Sequence, residues 1–339
     1  MSSAAEPQIE MGGFSKLPDV LRAARAERVF LISGSSGRHL ERLRHTLHGF
    51  PLCVFSEARR HVPSDLVERA RAGLALFRAD AVVSVGGGSA TGLGKALRLD
   101  QEFFFVALPT TYAGSELTDL YGITSAEGKR TGRDPRVVPD AVVYDVDASI
   151  GMPLRLSVTS LLNALAHPVS ALSTGQLEPD RWDAAIAAAL SVERAIAGVL
   201  DSPRDPTSRR LAFEGTVLAA RVLRRCPVGV HHRIAHALGG RFDLDHAGLH
   251  SLLLPHSVAW IARSTPELSE RIHAELGPAL AERLLDFVRR SGAATSLTEL
   301  GLSPSAFDEF VAREPALPLE ILSGAFSGVL PPERAREPR

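Results

Sequence analysis

The sequence predicts an α/β N-terminal domain built on a mainly parallel sheet, followed by an all-helical C-terminal domain. Three observations carry this expectation. Short apolar, β-branched runs alternate with amphipathic stretches up to about residue 150. Two of those runs end in glycine-containing turns, at 34–37 (GSSG) and 86–88 (GGG). From about residue 158 onward β-branched runs disappear and Ala, Leu and Arg dominate, punctuated by Gly and Pro. Strand, glycine turn and helix in repetition mark βαβ units, which assemble into parallel sheets. The change of pattern at Met152-Pro153 divides the chain into 1–152 and 153–339.

Taken in order, residues 28–33 (RVFLIS) read as a buried strand, 52–55 as a second and 81–85 (AVVSV) as a third. Residues 103–108 (FFFVAL) form a fourth that stops at Pro109, and 137–144 (VVPDAVVY) a later, polar-interrupted one. Between them, 65–78 places Leu66, Ala70, Leu74 and Phe77 at helical spacing. In the second half, 181–200 and 267–289 each read as one long helical stretch. The tail, 331–339, reads as disordered, and no internal repeat is present.

Composition narrows the function classes. The 339 residues suffice for about two domains. The 38 basic and 39 acidic side chains leave a net charge of −1, without the basic excess of a nucleic-acid or anionic-membrane binder. Only Lys16, Lys95 and Lys129 are lysines; the other 35 basic residues are arginines. Two cysteines, Cys53 and Cys226, cannot build a disulfide framework or a cysteine-rich zinc site. The opening MSSAAEPQIE has no apolar stretch, and no run approaches the ~18 apolar residues of a membrane span. The expectation is a soluble, cytoplasmic protein.

The run 84–92 (SVGGGSATG) leaves a strand and enters a helix. Gly86, Gly87 and Gly88 allow close backbone approach, and the N–H groups opening the next helix favour an anionic pyrophosphate. Ser89 and Thr91 offer hydroxyl donors. The alternative is a tight turn without a ligand. The pattern is neither the common G-x-G-x-x-G fingerprint nor a Walker loop. The next strand ends in 108–116 (LPTTYAGSE), where Thr110, Thr111 and Ser115 suit a polar wall beside a ribose or nicotinamide, and Leu117 just beyond is a further candidate cofactor contact. Ligands of open α/β sheets gather at the carboxyl ends of the strands.

Six of the twelve histidines lie at 231, 232, 236, 246, 250 and 256. His232 and His236 share a helix face, and Asn163 and His167 repeat the i, i+4 spacing upstream. Such a grouping suits metal binding, proton transfer or anion binding.

Several blocks together resemble the iron-dependent alcohol dehydrogenase superfamily, and within it the maleylacetate reductase branch. They are GGGSATGLGKA, PTTYAGSELTDLYGIT, KRTGRDPRVVPDAVVYD, LSVTSLLNALAH and HHRIAHALGGRFDLDHAGLHSLLLPH, spanning 86–256. The resemblance implies an N-terminal dinucleotide-binding domain and a helical domain, with the active site in the cleft between them. It implies NADH or NADPH as cofactor and a cytoplasmic homodimer acting in aromatic degradation. Metal-dependent members bind Fe or Zn through one Asp and three His. Those positions fall on Asn163, His167, His232 and His246, so the carboxylate is replaced by an amide and a tightly bound metal is not expected.

The implied reaction adds hydride to a carbon–carbon double bond conjugated to a carbonyl, taking maleylacetate to 3-oxoadipate, or acting likewise on a related unsaturated oxo acid. His236 is assigned as proton donor, and His232, His246 and His167 as donors to substrate oxygens, with Asn163 lining the substrate. Tyr121, Lys129, Arg130 and Arg133 are candidates for carboxylate contacts, the alternative being a solvated charged loop. Gly34 and Ser35 end the first strand without a carboxylate, which is compatible with NADPH as well as NADH. Other readings are a metal-dependent alcohol dehydrogenase or aldehyde reductase, and a repurposed homologue with a non-redox biosynthetic role. The chain departs from the branch at Asp245, where proline is usual, and at Ala247-Gly248-Leu249, where Ala-Glu-Thr is usual. It departs again at Ser170, where glutamate is usual, at Pro168, which should bend its helix, and at 313–318 (REPALP), which replaces an aromatic, proline-rich stretch.

Overall fold

The computed structural model describes residues 6–331, and the Lys129 side chain and most of the 331–339 tail lie outside what is described. The chain forms two compact units, Met1–Met152 and Pro153–Arg339. Among the described residues no helix is long and apolar enough to cross a membrane.

In the first unit the elements run β1 (Gln8–Glu10), α1 (Leu17–Ala23), β2 (Val29–Gly34), α2 (Leu40–Thr46), β3 (Leu52–Ala58), α3 (Ser64–Phe77), β4 (Ala81–Gly86), α4 (Gly88–Arg98) and β5 (Phe104–Pro109). A hairpin, β6 (Leu120–Ser125) and β7 (Gly128–Arg133), then β8 (Ala141–Val143) and α5 (Val146–Ile150), complete it. Six strands form a fully parallel sheet in the order β1-β8-β5-β4-β2-β3. Successive residues feed opposite layers. Val29, Leu31, Val83 and Val106 pack with α1 and α2, while Phe30, Ile32, Val82 and Phe105 pack with α3 and α4. Burial on both faces is why these strands are near-continuous apolar runs.

The order places a topological switch between β2 and β4: the chain leaves β2 toward β3, then crosses back and proceeds through β4 and β5 the other way. The carboxyl ends of β2 and β4 therefore open a crevice of the kind that holds ligands in such sheets.

Three stretches differ from what the sequence alone suggests. The charged run after position 127 is not a loop, because Gly128–Arg133 pairs antiparallel with Leu120–Ser125. The 137–144 run is a single 3-10 turn (Pro135–Val137) followed by a three-residue strand, since Pro139 supplies no N–H to a ladder. Strand β1, too short to show a period, was not expected.

The second unit contains α6 (Leu154–Leu172), α7 (Pro179–Asp201), α8 (Pro206–Arg225), α9 (Val230–Phe242), α10 (His246–Ser264), α11 (Pro266–Leu276), α12 (Leu280–Ser291), α13 (Pro304–Arg313) and α14 (Leu319–Ser327). Helix α6 is buried continuously from Ser157 to Leu172 and runs through Pro168, so its apolar residues occupy every side of the helix. The stretch expected as one helix over 267–289 is two. Gly277 (φ 83°) and Ala279 (φ 54°) adopt positive φ around Pro278, which cannot donate a helical bond.

Candidate functional site

In the first unit, three strand ends present the residues singled out as cofactor ligands. Gly34 closes β2 and leads to exposed Ser35, while Gly86 closes β4 beside Pro109 of β5. The Thr110 amide donates to the Gly86 carbonyl at 2.9 Å, which ties the two loops together. Gly86 has φ 144°, a region open in practice only to glycine. Gly87 precedes the first helical residue of α4, and a Cβ there would lie 3.1 Å from Thr111 Cγ2. A Cβ on exposed Gly88 would meet nothing within 4 Å. The amino end of α4 is therefore open, with its first N–H groups unspent by any side-chain cap. Ser89, Thr111 and Ser115 are partly exposed around it, whereas Thr91 and Leu117 are buried and offer no hydroxyl or side-chain surface to solvent.

Two buried polar groups behind this loop escaped the sequence reading. The Lys95 ammonium donates to the carbonyls of Ser115 (2.6 Å), Thr118 (2.7 Å) and Leu120 (2.9 Å). The Tyr144 hydroxyl donates to Glu116 Oε1 at 2.9 Å, and burial raises the Glu116 carboxyl above its usual range. In the hairpin, Arg130 lies over the Tyr121 ring, 5.9 Å from its centroid. Arg133 is engaged by Asp119 at 2.9 Å, so it is an ion pair rather than an open carboxylate receptor.

The second unit gathers the histidines. Helix α6 supplies Asn163 and His167, α9 supplies His231, His232 and His236, and α10 supplies His246, His250 and His256. The His167 and His232 rings stack with centroids 5.4 Å apart. His250 is the hub: its ring lies 4.5 Å from His246, 5.0 Å from both His231 and His232, and 6.4 Å from His236. His256 shares the helix but not this ring cluster; it packs against Gly324 of α14. His236 and His246 are exposed, whereas His167, His231, His232 and His250 are buried.

Hydrogen bonding divides the buried rings. His231 Nδ1 meets Ser257 Oγ at 3.1 Å, and its Nε2 meets His250 Nδ1 at 2.9 Å. Ser257 Oγ in turn donates to the Leu253 carbonyl. That leaves His250 Nε2, both nitrogens of His232, His167 Nδ1 and Asn163 Oδ1 buried without a protein partner. Buried polar atoms are nearly always satisfied, so such a set in neighbouring side chains marks a place where a ligand or water completes the bonding. Burial holds the His167 and His231 rings down to about 3 and lowers His232 and His250 strongly, each aided by neighbouring histidines. These rings are neutral at pH 7, each with one N–H to donate.

The departures noted above have local reasons. Ser170 Oγ accepts the Gly229 N–H at 2.7 Å, tying α6 to the start of α9. Asp245 caps α10 by accepting the Gly248 N–H at 2.8 Å. The 313–318 segment is only the short link between α13 and α14.

Residues 8–146 match the iron-containing alcohol dehydrogenase family, and residues 157–317 match the C-terminal domain of the same family. The chain belongs to the iron-containing alcohol dehydrogenase family. It is thus an oxidoreductase by descent. It is 36% identical over 326 residues to a maleylacetate reductase of Burkholderia cepacia, covering 92% of each chain. It superposes on the crystal structure of maleylacetate reductase from Agrobacterium tumefaciens with a TM-score of 0.88 at 33% identity, covering 98% of this chain and 99% of that one. The maleylacetate reductase of Rhizobium sp. strain MTP-10005 gives a TM-score of 0.87 at 33% identity, with the same coverage.

The family name implies iron, but the residues present do not fit it. The positions that the sequence resemblance assigns to its ligands, Asn163, His167, His232 and His246, offer four neutral donors with no carboxylate to offset a divalent charge. No group of three or more His, Cys, Asp or Glu among the described residues is arranged to hold a metal ion.

Proposed function

We propose that this chain is an NAD(P)H-dependent reductase that adds hydride to a carbon–carbon double bond conjugated to a carbonyl, with maleylacetate or a related unsaturated oxo acid as substrate. Asn163, with its buried unpartnered Oδ1 among neutral imidazoles, is the observation that carries the reading. The similarity to proteins named maleylacetate reductase, over nine-tenths of the chain, supports the substrate class.

Hydride from the reduced nicotinamide attacks the alkene carbon remote from the carbonyl, and the electron pair moves onto the carbonyl as a delocalised enolate. Neutral N–H donors suit this charge better than a localised alkoxide, which gains more from a Lewis acid. In this reading the rings of His167, His232 and His246 donate to substrate oxygens, and Asn163 lines the substrate with its Oδ1 open to a donor. His236, exposed and 6.1 Å from His232 between ring centroids, delivers the proton to carbon and regains it from solvent. The reaction consumes one NAD(P)H and one proton and yields NAD(P)+ and the saturated oxo acid.

The dinucleotide is assigned to Gly34, Ser35, Gly86, Gly87, Gly88, Ser89, Thr110, Thr111 and Ser115, while the buried side chains of Thr91 and Leu117 pack behind it. The switch point between β2 and β4 and the uncapped amino end of α4 support that assignment. Tyr121 and Arg130 remain as substrate carboxylate contacts. A cytoplasmic homodimer acting on a small molecule, without nucleic acid or membrane, completes the reading. The experiment is steady-state oxidation of NADH and NADPH in the presence of maleylacetate, with the product identified as 3-oxoadipate. Oxidation driven by simple aldehydes but not by maleylacetate replaces this reading with the alcohol dehydrogenase one.

A further inference from the structure

We propose that Lys95 is a positioning residue for the dinucleotide site: its buried ammonium holds residues 115–120, and through them the loop whose Thr110, Thr111 and Ser115 form the second wall of that site. The inference rests on the cofactor assignment above. Lys95 sits two turns into α4 and is 2% exposed. Its Nζ donates to the carbonyls of Ser115, Thr118 and Leu120 and approaches Thr118 Oγ1 at 3.1 Å. An ammonium carries three hydrogens and no acceptor, so this environment supplies it with oxygen on every side. A cation is kept out of water only where such acceptors replace its hydration.

All four oxygens belong to one six-residue segment, which has little regular structure of its own. Within it the 3-10 turn Ser115–Leu117 contributes only the Leu117 N–H to Gly114 O and Thr118 N–H to Ser115 O bonds, plus Thr118 Oγ1 donating back to Ser115 O. Tyr144 holds the Glu116 carboxyl, and Arg133 and the Asp134 N–H hold Asp119, but it is the Lys95 ammonium that gathers three carbonyls of the segment on one atom. Helix α4 then serves both halves of the site, with its amino end as the phosphate cradle and its middle gripping the opposite wall. A neutral side chain at 95 leaves the Gly86–Gly88 turn untouched and releases the wall.

Calorimetric titration with NADH and with ADP separates the two halves, because ADP uses the cradle and lacks the nicotinamide riboside. K95M should weaken NADH about tenfold and ADP by less than about twofold, and K95R should recover part of the loss. Hydrogen–deuterium exchange should rise at amides 115–120 in K95M and, to a smaller extent, in T118V, and stay at wild-type levels over residues 86–94. Wild-type NADH affinity in K95M, or equal losses of NADH and ADP, overturns the proposal. If K95M does not fold, T118V decides: unchanged exchange at 115–120 with unchanged NADH affinity overturns it. A wild-type protein that binds neither nucleotide refutes the cofactor assignment instead, and the exchange comparison still judges the clamp.

Discussion

Asp245 and Gly248 form one unit at the start of α10. The carboxylate accepts the Gly248 N–H at 2.8 Å, and a Cβ on residue 248 would lie 2.9 Å from Asp245 Oδ2. The cap and a side chain at 248 compete for one place. Two departures from the maleylacetate reductase pattern, Pro to Asp at 245 and Glu to Gly at 248, are therefore a single exchange. Asp245 has φ −60°, an angle proline also adopts. Asp245→Ala should cost about 1 kcal/mol of stability, as loss of an N-cap does. Gly248→Glu should destabilise in the presence of Asp245 and do so less beside Asp245→Pro. Urea unfolding of the four proteins of this cycle measures the coupling, and strict additivity refutes it.

The glycine turn offers a substitution with a clean reading. A side chain at Gly88 meets no protein atom within 4 Å, so Gly88→Val should leave the melting temperature near wild type while lowering NADH affinity at least about tenfold. Gly87→Val presses on Thr111 and should abolish binding with a modest loss of stability. Unchanged NADH and NADPH affinity in both variants would move the dinucleotide away from this turn.

Buried neutral histidines set a pH dependence of stability. His167 and His231 are held down to about 3 and His256 to about 4 by burial, while each titrates near 6.5 in the unfolded chain. Between those values the unfolded state binds more protons. The stabilisation is fully present above about pH 6.5 and is lost as pH falls toward the folded values. Each ring adds a slope of up to about 1.4 kcal/mol per pH unit within its window. The urea midpoint should fall between about pH 7 and about pH 5, less steeply in His256→Gln. A pH-independent midpoint contradicts this.

The fold was legible where burial is two-sided. Strands such as Val29–Gly34 and Ala81–Gly86 are apolar throughout, and their glycine ends announce the crossover. The hairpin was not legible, because Gly128–Arg133 carries no apolar alternation and owes its strand geometry to pairing with Leu120–Ser125. The helix break at 277–279 was visible as Gly-Pro but was overridden by the apolar spacing on either side. At the site, the i, i+4 pairs exposed Asn163/His167 and His232/His236. The same spacing links His246 to His250, and that signal could have picked out the hub of the cluster. Lys95 and Glu116 carry no periodic signature, since their partners are carbonyls and a tyrosine brought close only by folding.

His236→Ala should lower turnover by about 10²–10⁴ while NADH affinity stays near wild type, the usual range for removing a general acid. His236 is on the exposed side of α9, so the variant should keep wild-type stability. A loss below about fivefold would pass the role to His246 or to water.

Reduction here relies on neutral donors, with Asn163 in place of a carboxylate. Its most direct test is maleylacetate-dependent NADH oxidation by protein dialysed against chelator, with metal content measured on the same sample. Turnover should equal that of untreated protein at well below one metal per chain. Loss of activity on dialysis, restored by iron or zinc, would contradict it.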